Sequence, residues 1–144
     1  MAQTTSLTTQ RIFPAIRYVN AHAGIDFLCR AFGFEPQAVY DEPGGGVAHA
    51  QLVLAGQMIM LGSSRANTGY PVVSPKEAGG TVTGGIYVAL DDAAAVDALH
   101  ERARAAGAEI VMPPHDQDYG SHDFTARDPE GHVWSFGTYR PAAP

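Results

Sequence analysis

Asp128-Pro129-Glu130-Gly131-His132-Val133-Trp134-Ser135-Phe136-Gly137-Thr138-Tyr139 is the stretch from which the fold can be read. Its first four residues are turn chemistry: an aspartate able to bond its own backbone, a proline that presets φ, and a glycine that tolerates positive φ. The residues that follow alternate. Trp134, Phe136 and Thr138 fall on one face of a strand, and Val133, Ser135, Gly137 and Tyr139 fall on the other. The aromatic face reads as core. The face with a serine at its centre is the one that needs an explanation.

Upstream of this strand the chain gives a repeating order of elements. Gly85–Leu90, "GIYVAL", is strand-like, and "DDAAAVDALHERARAAG" is the clearest helix. Asp91 or Asp92 is its cap, Val96, Leu99 and Ala103 form its apolar face, and Gly107 closes it. Strands are predicted at Glu109–Met112 and His122–Arg127 before the last one. The first half has the same plan. A strand at Ile12–Val19 precedes a helix in "NAHAGIDFLCRAFGF", with Asn20 as N-cap and Gly33 just past its end. Strands follow at Glu35–Tyr40, Val47–Leu54 and Gln57–Leu61, punctuated as hairpins by Gly44, Gly45, Gly46 and Gly56. "AFGFE" at 31–35 lies 74 residues before "AAGAE" at 105–109, helix end to helix end. The pattern is βαβββ twice, as a duplication would leave it. Two amphipathic strand sets with one helix each give an α+β domain, with the helices covering one face of each sheet and the other faces lining a cleft.

Residues 1–10 read as a disordered tail, with neither the basic region nor the apolar run of a secretory signal. Residues 11–140 form one domain, with modules at about 11–62 and 84–140 joined by a linker or lid at 63–83. The chain has 144 residues and a formal charge of -6, so there is no basic surface for nucleic acid. No apolar run approaches the ~20 residues of a membrane span. Cys29 is the single cysteine, which rules out an internal disulfide, and it falls in an apolar helical stripe. A cytoplasmic location is expected.

The paired βαβββ order, "GF-E" after the first helix and "DPEG" before the last strand resemble the vicinal oxygen chelate superfamily, the glyoxalase/bleomycin resistance protein/dioxygenase group. "DYGSHDFTARDPEGHVWSF" is most similar to its small bacterial PhnB-like branch. The resemblance covers residues 11–140. It implies paired sheets around a cleft and a homodimer, to which exposed strand edges also point. In metal-dependent members it implies four ligands, usually His, Glu, His or Gln, and Glu. Those positions fall here on Phe13, Met60, Gly85 and Ser135, with Phe13 and Gly85 72 residues apart and Met60 and Ser135 75. Phenylalanine and glycine have no donor, methionine is a soft thioether, and a neutral serine is a poor ligand, so no metal and no other cofactor is expected. Glyoxalase I and extradiol dioxygenase chemistry are disfavoured.

Strand parity leaves Phe13, Arg17, His49, Gln51, Met58, Met60, Tyr87, Ser135 and Tyr139 toward the cleft, with Tyr119 and His122 at its rim. An apolar and aromatic lining with few polar groups is the usual makeup of a small-molecule site. The ligand-binding set is therefore Phe13, Arg17, His49, Met60, Tyr87, Tyr119 and Ser135. Each has a plainer role beside it. Phe13 and Met60 can simply fill the vacated site, Arg17 can pair with a nearby Asp, and His49 can be a hydrogen-bonded structural histidine. The expected function is metal-independent binding of a small hydrophobic or aromatic molecule. The alternative is a lyase, isomerase or dioxygenase of the same superfamily, with a displaced metal site or with His49 or His122 in acid–base catalysis. A fold relic without a ligand is a third reading, and a collapsed cleft would mark it.

Overall fold

A computed structural model describes residues 9–65 and 69–142. The first module runs β1 (Ala15–Tyr18), α1 (Ala21–Phe32), β2 (Glu35–Asp41), β3 (Val47–Leu54) and β4 (Gln57–Ser63). The second runs β5 (Ile86–Ala89), α2 (Ala93–Ala105), β6 (Glu109–Asp116), β7 (His122–Arg127) and β8 (Val133–Gly137). Each gives a four-stranded mixed sheet, ordered β1-β4-β3-β2 and β5-β8-β7-β6, in which the first and last strands of the module pair in parallel. The register repeats as well as the topology. Ala15 lies opposite Met60 in the first sheet, and the corresponding pair in the second is Tyr87 opposite Ser135. This is the α+β architecture read from the sequence. No helix among the described residues is long and apolar enough to cross a membrane.

The helix ends follow from their sequences. Asn20 Oδ1 accepts from the Ala23 amide at 3.1 Å, and Gly33, at φ 86°, reverses the chain after α1. Asp92 Oδ1 accepts from the Ala95 amide at 2.8 Å and caps α2. Both helices and the inner faces of both sheets share one apolar core. Phe32 of α1 lies 5.5 Å from the ring of Trp134 and 4.9 Å from that of Phe136, so the last strand of module two packs on the helix of module one. Trp134, Phe136, Phe124 and Phe32 are fully or almost fully buried, each contributing about 2–3 kcal/mol relative to exposure.

The Asp128-Pro-Glu-Gly turn locks the two modules together. Asp128 Oδ1 accepts from the amides of Glu130 and His132, and its Oδ2 accepts from the Tyr18 hydroxyl at 2.6 Å and from Trp134 Nε1 at 3.1 Å. Glu130 accepts from the amides of Val19 and Asn20 and from the Ser74 hydroxyl. Burial first, then the adjacent Asp128 carboxylate, raise the Tyr18 phenol well above its ordinary value, so it stays a donor.

Several boundaries differ from expectation. The first strand begins at Ala15; ahead of it Ile12 is 88% exposed, although the Pro14 carbonyl still accepts from the Met60 amide at 2.9 Å. Residues 1–8 of the expected tail lie outside the described residues, but Gln10 does not hang free: its side-chain amide pairs with both backbone groups of Met58, at 2.7 and 2.8 Å. Residues 66–68 of the linker also lie outside the described residues. Its C-terminal half is anchored by a short 3-10 helix at Pro75–Ala78, whose cap Ser74 is fully buried on Glu130. The sixth strand extends to Asp116 through Pro113 and Pro114, with two shifts of register. It is an edge strand, where the missing amides of proline interrupt no second ladder.

Candidate functional site

With the helices on the inner faces, the outer faces carry the polar chemistry. Alternation along β7 and β8 turns Phe124, Ala126, Trp134 and Phe136 inward and Asp123, Thr125 and Ser135 outward. Tyr87 on β5 and Tyr139 beyond β8 join them around a cavity of about 400 Å³, closed on other sides by Met112, Gln117 and Tyr119. The Tyr87 hydroxyl donates to the Tyr139 carbonyl at 2.5 Å. The Tyr139 amide donates to Ser121 Oγ at 3.0 Å, and the Ser121 hydroxyl donates to Asp123. Ser135 and Thr125 share a hydroxyl hydrogen bond of 2.9 Å. Desolvation and then the Asp123 charge raise the Tyr87 phenol, only partly offset by Ser121, so it is a neutral donor at pH 7.

The outer face of the first sheet is a separate, smaller site. Arg17, His49, Met60 and Tyr70 line a cavity of about 130 Å³. The Arg17 guanidinium donates to the Ser63 carbonyl at 3.3 Å and lies 4.8 Å over the Tyr70 ring. It has no Asp partner among the described residues, so the pairing weighed in the sequence is not made. His49 Nε2 meets Gln51 Oε1 at 2.9 Å, and Gln51 Nε2 donates to Gln37 Oε1. A third cavity of about 470 Å³ runs between the modules and is lined by Ile12, Pro14, Leu54 and Met58 on one side and by Ile86, Tyr87 and Val88 on the other.

The sequence-derived set is therefore divided. Arg17, His49 and Met60 come together, and Tyr87, Tyr119, Ser135 and Tyr139 come together, but among the described cavities none joins the two groups within one chain. Phe13 is half-buried just ahead of β1 and lines none of these three cavities. His122 is placed away from both. It projects to the helix side of the second sheet, where Nε2 meets Asp97 at 2.7 Å and Nδ1 meets Asp116 at 2.8 Å. Those two hydrogen bonds, the one to Asp97 first, raise its pKa.

One glycine in each module explains how a charged group reaches the outer face. Gly62 lies opposite Arg17 in the ladder, and Gly137 lies opposite Asp123. A Cβ at Gly62 would come within 2.6 Å of the Arg17 guanidinium. A Cβ at Gly137 would come within 2.0 Å of Asp123 Oδ1 and 2.9 Å of the Tyr87 hydroxyl. The two glycines are 75 residues apart, the spacing of Met60 and Ser135. The duplicated frame thus lays a cation on one outer face and an anion on the other.

The donor set does not fit the metal of the wider family. Of the four mapped positions only Met60 and Ser135 carry a heteroatom side chain, one soft and one already bonded to Thr125. Among the described residues no three His, Cys, Asp or Glu side chains converge as metal ligands.

Sequence reading missed Asp123, Thr125, Gln117 and Tyr70. For the first two the signal was present: a buried Phe124 places residues 123 and 125 on the face of Ser135. For Tyr70 there was none, since a linker residue has no periodicity to place it.

Similar proteins share this frame. The protein Rv0887c of Mycobacterium tuberculosis H37Rv is 35% identical over 120 residues, spanning 82% of this chain and 68% of that one. TioX from Micromonospora sp. ML1 superposes with a TM-score of 0.69 at 28% identity, covering 94% of this chain and all of TioX. At lower identity the likeness is of fold alone. The fosfomycin resistance protein FosX of Listeria monocytogenes gives a TM-score of 0.66 at 15%, covering 89% of this chain and 91% of FosX. A PhnB protein of Bacillus cereus gives 0.63 at 23%, covering 88% and 98%. The family profile matches residues 12–136, most of the domain, and the chain belongs to the Glyoxalase/Bleomycin resistance protein/Dioxygenase superfamily.

Proposed function

We propose that this protein binds a small hydrophobic or aromatic molecule without a metal, in a cleft formed when the outer face of the first module meets the outer face of the second module of another copy. The observation that carries the reading is the cavity of about 400 Å³ on the second sheet. Its rim is formed by Tyr87, Tyr119 and Tyr139, and its mapped metal position is a serine bonded to a threonine. Aromatic rims with a few fixed polar groups suit a planar or apolar ligand. The open half-site around Arg17 would supply the opposite wall. Soluble, homodimeric, cytoplasmic capture of a compound is the role that fits.

The test is a titration with 2-naphthol, followed by NMR, on protein whose metal content has been measured after purification without chelators. Binding should shift the Tyr87 and Tyr119 ring signals and should weaken by about 1 kcal/mol or more in Tyr87→Ala. Sedimentation equilibrium should give a dimer. A near-stoichiometric bound metal, or binding unaffected by Tyr87→Ala, would overturn the reading.

A second reading has one observation in its favour. His49 lines the same cavity as Arg17 and Met60, and its ring is held there through Nε2 at 2.9 Å from Gln51 Oε1. An imidazole fixed at a cavity wall is the kind of group an isomerase or lyase uses as a base. Exchange of an α-proton of a bound carbonyl compound with solvent deuterium, lost in His49→Ala, would support it over simple capture.

A further inference from the structure

Three carboxylates are buried in the second module, and their hydrogen bonding separates them. Asp128 receives four donors and Glu130 receives three, each fixing a turn or an intermodule contact. Asp123 is equally buried, at 8% exposure, but among the described residues it receives only two, from the Ser121 hydroxyl and from Gln117 Nε2 at a long 3.4 Å. No cationic side chain pairs with it among the described residues. An ionised carboxylate has about four acceptor positions, and burying one with positions unfilled costs free energy. Here the unfilled positions are not sealed in the core. Asp123 lines the outer cavity beside the Tyr87 hydroxyl, with Tyr119 and Tyr139 standing edge to face at 5.8 Å on the same rim.

We infer that the outer face of the second module recognises a protonated amine carried on an aromatic or apolar body, with Asp123 accepting from the ammonium and the tyrosines flanking it. This names the chemical class of ligand for the binding reading above and rests on it. Each element of the cavity has a part in such recognition. The carboxylate supplies a charge-assisted hydrogen bond that water reaches poorly. The rings of Tyr87, Tyr119 and Tyr139 line the same cavity and offer apolar aromatic area to the body of the ligand, and a ring face that a cation reaches would attract it. Gly137 leaves the floor free for the carboxylate: any side chain there would push Asp123 out of its place. The one histidine on the rim, His115, has its Nδ1 against the carbonyl of Pro113.

A matched pair of probes separates this from simple aromatic capture: 2-naphthylmethylammonium and 2-naphthalenemethanol, titrated into the full chain at about 0.15 M salt to screen the charge of the acidic surface. The amine should bind about 10- to 100-fold more tightly than the alcohol, shift the Tyr87 and Tyr119 ring signals, and lose that preference in D123N. Equal affinities would overturn the amine inference and leave aromatic binding standing. A preference that persists in D123N, or that shifts signals elsewhere in the wild type, would place the cation site outside this cavity and overturn it too. If neither probe moves the tyrosines, both readings fail. Should D123N not fold, the wild-type preference and the position of its shifts decide the matter alone.

Discussion

Asp123 and Asp128 stand on either side of the strand His122–Arg127, both nearly excluded from water, and the fold uses them in opposite ways. Asp128 faces the shared core, where a tyrosine hydroxyl, an indole nitrogen and two amides saturate it. Asp123 faces the outer cavity with two donors and room for more. The difference teaches where to look for function in a duplicated fold. A buried acid whose acceptor positions are all filled by its own chain is architecture, while one left short beside a cavity is available to something else.

The largest expected effect tests the architectural side. Asp128→Ala removes the acceptor of four donors and leaves the Tyr18 hydroxyl and Trp134 Nε1 stranded in the core, at a cost of about 3 kcal/mol or more. Urea unfolding measures it. A loss below about 1 kcal/mol would mean the turn does not hold the modules together. Next in size is Gly137→Ala. Its new methyl group would meet a short, buried carboxylate that has little room to move, costing about 2 kcal/mol. Gly62→Ala meets the far end of the flexible Arg17, which can swing away, and the Ala48 carbonyl oxygen at 3.0 Å, which must give by a few tenths of an ångström, so about 1 kcal/mol is expected there. The reverse order would show that Arg17 is held in place more firmly than Asp123.

How far this comparison was legible in the sequence depends on the period of each segment. The last strand could be read because Trp134 and Phe136 alternate with small polar residues, and the duplication because both helices carry caps and closing glycines at matching places. Alternation also predicted the outer-face positions of Arg17, His49, Met60, Tyr87 and Ser135. It could not say that the two outer faces form separate cavities in one chain, because that depends on how the sheets pack through Phe32, Trp134 and Phe136 across the module boundary. Adjacent His122 and Asp123 had to face opposite ways, yet a histidine draws the eye toward catalysis. The neighbouring Phe124 was the residue that decided between them. Tyr70 and the buried Ser74 belong to a linker without periodicity, and only tertiary contacts place them.

A smaller effect tests the inner side again, through pH. Asp97 of the helix and Asp116 of the edge strand hold His122 between them and raise its pKa in the folded chain. A group whose folded pKa is raised stabilises most when it is protonated in both states. That contribution is present in full below the unfolded value of about 6.5 and is lost as pH rises through the higher folded value. The stability gap between wild type and His122→Asn should therefore be widest in mildly acidic solution and shrink toward alkaline pH, by no more than about 1 kcal/mol for pairs this open to solvent. A gap that widened with pH instead would mean the ring is held neutral.

The smallest stability effect is the most informative. Asp123→Asn keeps the shape of the side chain, and its remaining carbonyl can still accept from Ser121. It also removes a buried charge that no cation among the described residues offsets, so the desolvation lost and the hydrogen bond weakened should nearly cancel. Chemical denaturation should place the variant within about 1 kcal/mol of wild type, or make it slightly more stable. A protein stabilised by deleting a buried charge is one whose site is costly to its fold, the usual sign of a group held for a ligand. A loss above about 2 kcal/mol would put Asp123 beside Asp128 as architecture and remove the ground for amine recognition.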